Sequence, residues 1–353
     1  MASIDLEHLC VDLDRQRVLH DLNVHIDDGA FVAVVGPSGS GKSTLLRAIA
    51  GLVRSSHGTV SFGGVDISRL SAPERDIGMV FQESALLPRR NVRKNVEFPL
   101  EIRRATAEAI RDRVNAEVRS LKIEHLLERD PFQLSRGEQQ LVQIARTMVR
   151  VPKVLLLDEP FAPLDAHLRS RMRAEISLLQ KGYGVTTLMA TNDPDDAVAL
   201  ASDVVVLGDQ PATVVQSGPP SFVFDDPVSI DTATAMGPLA SISTSVRSDG
   251  DGFWLERDGA ARVRMWPPAL RAHLGRDVTL AVRPGALTRD ARGDAEVEIV
   301  RSVAGSPGTL VCRWGGRMTM ASGVAEPGEY GTTHRFRVAQ PLVFDPDTGA
   351  RIR

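Results

Sequence analysis

Phe31-Val32-Ala33-Val34-Val35, followed by Gly36-Pro37-Ser38-Gly39-Ser40-Gly41-Lys42-Ser43, is the passage on which the reading of this chain turns. Five apolar, mostly β-branched residues in a row predict a buried strand. The next eight fit the pattern G-x-x-x-x-G-K-S/T, and a helical stretch from Ser43 to Leu52 follows, the strand–loop–helix setting in which that pattern has a mechanism. The glycines let the backbone curl until its N–H groups converge on phosphate oxygens, and the helix N-terminus adds partial positive charge. Lys42 is placed to reach the β- and γ-phosphates of a nucleotide, and the Ser43 hydroxyl to sit on Mg²⁺. Gly36, Pro37, Ser38, Gly39, Ser40, Gly41, Lys42, Ser43 and the adjoining Thr44 are the candidate phosphate-binding residues.

Further along, Val154-Leu155-Leu156-Leu157 predicts a second buried strand, with Asp158-Glu159-Pro160 at its C-terminal end, where α/β sheets place their sites. Asp158 is a candidate to hold Mg²⁺ through water, and Glu159 to orient or polarise an attacking water. Helical stretches at Ala105–Leu127 and Asp165–Leu179 alternate with apolar runs up to about Pro227, which argues for an α/β fold around a mainly parallel sheet. After about Gly237 the texture changes to short runs between Gly, Asp and Pro turns: Val278–Val282, Ala295–Val300, Thr309–Trp314, Arg317–Ala321 and Arg335–Val338. That pattern predicts a barrel or sandwich, with Asp225–Pro238 as linker.

With 353 residues, 42% apolar and 25% charged, the chain matches soluble globular proteins, and disordered or collagen-like classes are excluded. No apolar run approaches the roughly 20 residues of a spanning helix. A net charge of −3 gives no global attraction to nucleic acid. The start, MASIDLEH, reads as lacking a secretory signal. Cys10 and Cys312 form no framework or metal spacing and are expected to be reduced thiols. Trp254, Trp266 and Trp314 are expected to be core or interface anchors, with a small-molecule pocket as the other reading.

Between the two nucleotide elements lies Gln133-Leu134-Ser135-Arg136-Gly137-Glu138-Gln139-Gln140, which resembles the Leu-Ser-Gly-Gly-Gln signature of ABC transporter ATPases. Val80-Phe81-Gln82 resembles their Q-loop, Leu164-Asp165 their D-loop, and Leu86–Leu100 (LLPRRNVRKNVEFPL) the segment that faces the membrane partner. The resemblance covers essentially the whole chain. It implies a phosphate-loop NTPase with a RecA-like core and a helical subdomain at about 88–150, within an ABC nucleotide-binding domain at 1–235. It also implies an all-β, OB-like (TOBE) regulatory domain at 236–353. Asp165-Ala166-His167-Leu168-Arg169, Gln216-Ser217-Gly218-Pro219-Pro220, Val282-Arg283-Pro284-Gly285 and Val343-Phe344-Asp345 look like import ATPases for maltose-type sugars and glycerol phosphate.

The resemblance implies ATP and Mg²⁺ as cofactors, with Ser43, Gln82 and Asp158 about the metal and Glu159, Gln82 and the switch position about the attacking water. Ser135, Arg136, Gly137, Glu138 and Asp165 are implied to cap the nucleotide of a second ATPase subunit, alike or different. Ser135 with Glu138 is at the same time a capping box. Two permease subunits and, indirectly, an extracytoplasmic solute-binding protein are the implied partners. The implied location is the cytoplasmic face of the membrane.

Three residues depart from the pattern. Asn192, in Thr191-Asn192-Asp193, stands where the family has a switch His; Leu13 stands near the expected adenine-stacking aromatic; Arg136 replaces a signature Gly. An amide donates a hydrogen bond but carries no charge. The expected activity is therefore ATP hydrolysis driving solute import, attenuated by Asn192. A hydrolysis-poor or regulatory subunit paired with an intact ATPase stays open as the second reading.

Overall fold

The computed structural model describes every residue except 1, 84, 250–251, 258–260, 304–305 and 307. The chain folds as two compact units, Met1–Val223 and Phe224–Arg353. The first unit contains, in chain order, β1 (Ile4–Leu13), β2 (Gln16–Ile26), β3 (Phe31–Val35), α1 (Lys42–Ile49), β4 (His57–Phe62), β5 (Val65–Asp66), β6 (Ile77–Val80), α2 (Val92–Ile102), α3 (Ala107–Ser120), α4 (Arg136–Met148), β7 (Val154–Asp158), α5 (Ala166–Tyr183), β8 (Thr186–Ala190), α6 (Pro194–Leu200), β9 (Asp203–Leu207) and β10 (Val214–Gly218).

Six of these strands form one sheet in the order β10-β9-β3-β8-β7-β6, parallel except at the β10 edge. Every residue of β3, β7 and β8 is buried, as expected of parallel strands covered on both faces. An antiparallel sheet, β2-β1-β4-β5, stands beside it. One apolar core joins Val32, Val34, Leu156 and Leu188 of the parallel sheet to Leu6, Leu9 and Val60 of the antiparallel one, with Leu45, Leu46 and Ile49 of α1 among them. At roughly 1.5–3 kcal/mol per fully buried aliphatic side chain, that burial fixes α1, and hence the loop that opens it.

The helical stretch read from Ser43 to Leu52 ends at Ile49, because the Arg75 guanidinium takes the carbonyls of Ala48 (2.9 Å) and Ile49 (2.8 Å) and Gly51 turns the chain at φ +73°. The stretch read as Ala105–Leu127 is α3 plus a separate 3₁₀ turn, Glu124–Leu126, divided at Lys122 with φ +56°. Helices α2, α3 and α4 pack on one another, and Val96, Val118 and Leu141 are buried in them. Fully buried Asn95 ties down the loop before α2, accepting from Leu87 N–H (2.7 Å) and donating to Arg90 O (2.7 Å). Among the described residues no helix is long and apolar enough to cross a membrane.

The second unit is built on β11 (Ala240–Ser248), β12 (Phe253–Arg257), β13 (Ala261–Met265), β14 (Asp277–Val282), β15 (Leu287–Arg289), β16 (Ala295–Ser302), β17 (Thr309–Trp314), β18 (Arg317–Ser322), β19 (Thr333–Val338) and β20 (Leu342–Phe344). Its sheet runs β17-β18-β15-β19-β16-β13-β12-β11-β14-β20, and an added β17–β16 pairing closes five strands into a small barrel. The α/β core and the β-rich barrel expected from the sequence are both present.

The two compact units divide at Val223/Phe224, ahead of the 235/236 boundary that the resemblance implies. Within the stretch read as linker, Ile230–Ala235 is a helix capped by the Ser229 hydroxyl, and Ala233 packs on Ala281, Leu342 and Phe344. Half-buried Arg283 donates to the carbonyls of Ala233 (2.6 Å) and Gly237 (3.1 Å) and lies over the Phe224 ring. Of the three tryptophans, Trp314 is in the core and Trp266 is 65% exposed. Trp254 donates to Asp249 Oδ2 (2.6 Å) under the Arg262 guanidinium. Cys10 and Cys312 are buried and free.

Candidate functional site

The loop 36–43 leaves the C-terminal end of β3. Gly41 has φ +90°, and a side chain there would meet Leu19 Cδ2 at 2.8 Å. A Cβ at Gly36 would meet the Leu207 carbonyl at 2.5 Å. The turn therefore needs glycine at both ends for conformation and for space. Lys42 is buried, and its ammonium donates to Gly36 O (2.9 Å), Pro37 O (2.8 Å) and Ser40 Oγ (3.4 Å). Burial pulls its pKa below the usual ammonium range, against the opposing pull of the Glu159 and Asp158 carboxylates. Ser43 Oγ donates to Asp158 Oδ1 at 2.7 Å, which joins the loop to the end of β7.

Glu159 is the first residue beyond β7. Its φ of +45° lies in the left-handed region, at a cost on the order of 1 kcal/mol, and its N–H is held by Ala190 O at 2.9 Å. Burial raises its carboxyl above the ordinary carboxylate range; Lys42 opposes the shift and Asp158 adds to it. Asn192 Nδ2 donates to Glu159 Oε1, and Gln82 Nε2 to Glu159 Oε2 at 3.4 Å. Sheet order explains the convergence. β8, β7 and β6 are parallel neighbours, so residues just past their C-terminal ends (192, 159 and 82) emerge side by side, with the loop after β3 next in line.

Ser135 caps α4 in a reciprocal capping box: its hydroxyl accepts from Glu138 N–H (3.3 Å), and Glu138 Oε2 accepts from Ser135 N–H (2.8 Å). A methyl at Gly137 would drive into Leu168 Cδ2, so the start of α4 packs directly on α5. Asp165 caps α5, accepting from Leu168 N–H at 2.9 Å. Arg136 lines a cleft of about 490 Å³ with Gln82, Gln139 and Pro163. Among the described residues no hydrogen bond links Ser135–Glu138 to the loop 36–43. Leu13 is 37% exposed at the end of β1, opposite Gln16.

Two contacts at the site carry no motif signal. Gln210 donates to Gly39 O at 2.5 Å from 171 residues away. Arg169 bonds both Asp193 Oδ2 and Phe161 O (3.3 Å). Arg169 belongs to the stretch that marks the resemblance, but its spacing from Asp165 alone shows no partner.

A glycine-cornered loop opening a helix, an adjacent hydroxyl–carboxylate pair and a held glutamate at the ends of parallel strands are the arrangement of a phosphate-loop NTPase. The ABC transporter family profile matches residues 19–162. The sulfoquinovosyl glycerol transport ATP-binding protein SmoE of Agrobacterium fabrum is 38% identical over 80% of this chain and 79% of its own length. The sn-glycerol-3-phosphate import ATP-binding protein UgpC of Escherichia coli K12 is 33% identical over the full length of both chains. Of solved structures, the dimeric ABC transporter cassette MJ0796 superposes with a TM-score of 0.56 at 30% identity, over 61% of this chain and 98% of that one. The cbiO1 subunit from Clostridium perfringens gives 0.58 at 31%, over 63% and 90%. The chain belongs to the ABC transporter ATP-binding proteins of the sugar and glycerol-phosphate importer type, with a β-barrel domain at its C-terminal end.

Proposed function

We propose that this subunit hydrolyses ATP to power uptake of a polar glycerol-phosphate or glycoside-like solute through two permease subunits at the cytoplasmic face of the membrane. A solute-binding protein outside delivers the solute. The first unit is the nucleotide-binding domain and the second a regulatory accessory. The observation that carries the reading is the junction of Ser43, Asp158 and Glu159 beneath the Lys42 loop.

The loop N–H groups and Lys42 hold the triphosphate. Ser43 Oγ and Asp158 Oδ1, 2.7 Å apart, offer the hard oxygen donors that Mg²⁺ takes, so these residues fit the ion; Gln82, whose amide bonds Glu159, would be a further oxygen donor. When bound, the ion neutralises phosphate charge. Glu159 accepts the proton of the attacking water, and Asn192 and Gln82 aim its carboxylate. Burial makes that carboxylate more basic than an ordinary glutamate, the direction a proton acceptor needs.

Two ATPase subunits, alike or different, sandwich each nucleotide between the loop 36–43 of one and Ser135–Glu138, with Asp165, of the other. Closure moves the helical region 88–150, and the free energy enters as the greater affinity of ATP for the closed pair. Asn192, unable to carry charge, slows hydrolysis relative to relatives with histidine. The test is reconstitution with the permease subunits in vesicles. ATP hydrolysis stimulated by sn-glycerol-3-phosphate or a sulfoquinovosyl glycerol with its binding protein supports the reading. Uptake that continues without hydrolysis by this subunit, driven by a second ATPase, supports the regulatory alternative.

A further inference from the structure

The roles of Glu159 and Asn192 leave open what holds Asn192 in place. Its side chain is exposed, and its loop crosses from β8 to α6 without a strand of its own. The answer lies on α5. Arg169, one turn beyond the cap at Asp165, sends one arm of its guanidinium to Asp193 Oδ2 and the other to Phe161 O at 3.3 Å. Asp193 directly follows Asn192, and Phe161 lies two residues beyond Glu159. One rigid planar group thus fastens both sides of the Glu159–Asn192 contact to a single helix.

One turn further on, Arg173 Nε donates to Asp196 Oδ1 at 2.6 Å, and Asp196 Oδ2 accepts from Thr191 Oγ1 at 3.2 Å. Thr191 Oγ1 in turn accepts from the Asp193 N–H at 3.0 Å. Both neighbours of Asn192 are therefore tied to one face of α5. The Arg169–Asp193 pair is only about a quarter to a third exposed, so it is better shielded from solvent than an ordinary surface ion pair. Arg169, Glu159 and Asn192 also line one cleft of about 360 Å³.

We propose that Arg169 is a positioning residue that aims Asn192 at Glu159, so that a shift of α5 is delivered to the carboxylate that handles the attacking water. The inference rests on the proposed roles of Glu159 and Asn192. A lysine at 169 would keep the charge, but its donors sit on one nitrogen and lack the planar spread by which Arg169 reaches Asp193 and Phe161 from two separate nitrogens. On this proposal the fork, and not the charge alone, sets the aim.

The test is a double-mutant cycle on the full-length chain, reading kcat, KM for ATP, nucleotide Kd and thermal midpoint for Arg169→Lys, Arg169→Ala, Asn192→Ala and the pairs. Both Arg169 variants should lower kcat about tenfold or more, since small misplacements at a reacting centre have effects of that order, with nucleotide Kd within about twofold of wild type. In the Asn192→Ala background the Arg169 changes should add little. If Arg169→Ala does not fold, Arg169→Lys, which retains charge and bulk, carries the same comparison. Undiminished kcat in Arg169→Lys, losses that add in full to those of Asn192→Ala, or loss of nucleotide affinity in step with kcat would each overturn the proposal. Full activity in Asn192→Ala alone would instead strike the reading of the site itself.

Discussion

Replacing Asn192 by His is the most informative single change at this site. The amide already supplies one hydrogen bond to Glu159 Oε1. An imidazole can supply that bond from one ring nitrogen and, when protonated, can also carry a unit charge facing the γ-phosphate. Two unit charges about 4 Å apart interact by about 4 kcal/mol at an effective dielectric of 20, and by about 1 kcal/mol in bulk water. Position 192 is exposed, so the true value lies towards the lower end. Taking about 1–1.5 kcal/mol, and about 1.4 kcal/mol per tenfold in rate, Asn192→His should raise kcat roughly five- to tenfold with KM little changed. The gain depends on imidazolium, so it should fade as pH rises past the histidine pKa. The assay is steady-state ATP hydrolysis by the assembled transporter across that range. Equal or lower turnover at every pH would refute the reasoning that missing charge at 192 limits the wild type.

Glu159→Gln should abolish turnover while retaining ATP, trapping a closed pair that is visible as a stable dimer in size-exclusion chromatography with Mg-ATP; unaltered hydrolysis would contradict the role given to this carboxylate. Gly137→Ala sets a helix-propensity gain of about 1 kcal/mol against overpacking on Leu168 of about 1–3 kcal/mol. Overpacking should prevail, with a lowered thermal midpoint measured by calorimetry. In the second unit, the Arg289 guanidinium holds Glu329 well below its ordinary 4.5, at about 2. The stabilisation from that depressed pKa is complete above about pH 4.5 and is lost as pH falls through about 2. Glu329→Gln should therefore lower the unfolding midpoint at neutral pH and converge on wild type in acid, as followed by circular dichroism.

How much of this was legible in the sequence depends on whether the residues concerned are contiguous. The loop 36–43 is one unbroken stretch whose chemistry follows from its backbone, and Asp158-Glu159 sit at the end of an apolar run that reads as a buried strand once the loop upstream is in view. Gln82 and Asn192 could be assigned only through the family's order of motifs. Their meeting at Glu159 depends on β6, β7 and β8 being adjacent, which strand composition does not encode. Arg169 lay hidden for a related reason. An arginine one turn into a helix is ordinarily a solvated face, and its partners Phe161 and Asp193 come from two different loops. In the second unit the run of short strands gave away the class. The closure of β16 on β17, and the helix inside the stretch read as linker, depend on long-range pairing and on the pocket that receives Ala233.

The most direct test of the central claim is a titration of the full-length chain with ATP, with and without Mg²⁺, beside Lys42→Ala. The account predicts magnesium-dependent binding by wild type. It predicts a loss of about ten- to a hundredfold in Lys42→Ala, the worth of a hydrogen bond to a charged group, about 1.5–3 kcal/mol. Wild type indifferent to magnesium, or Lys42→Ala binding ATP undiminished, would contradict it.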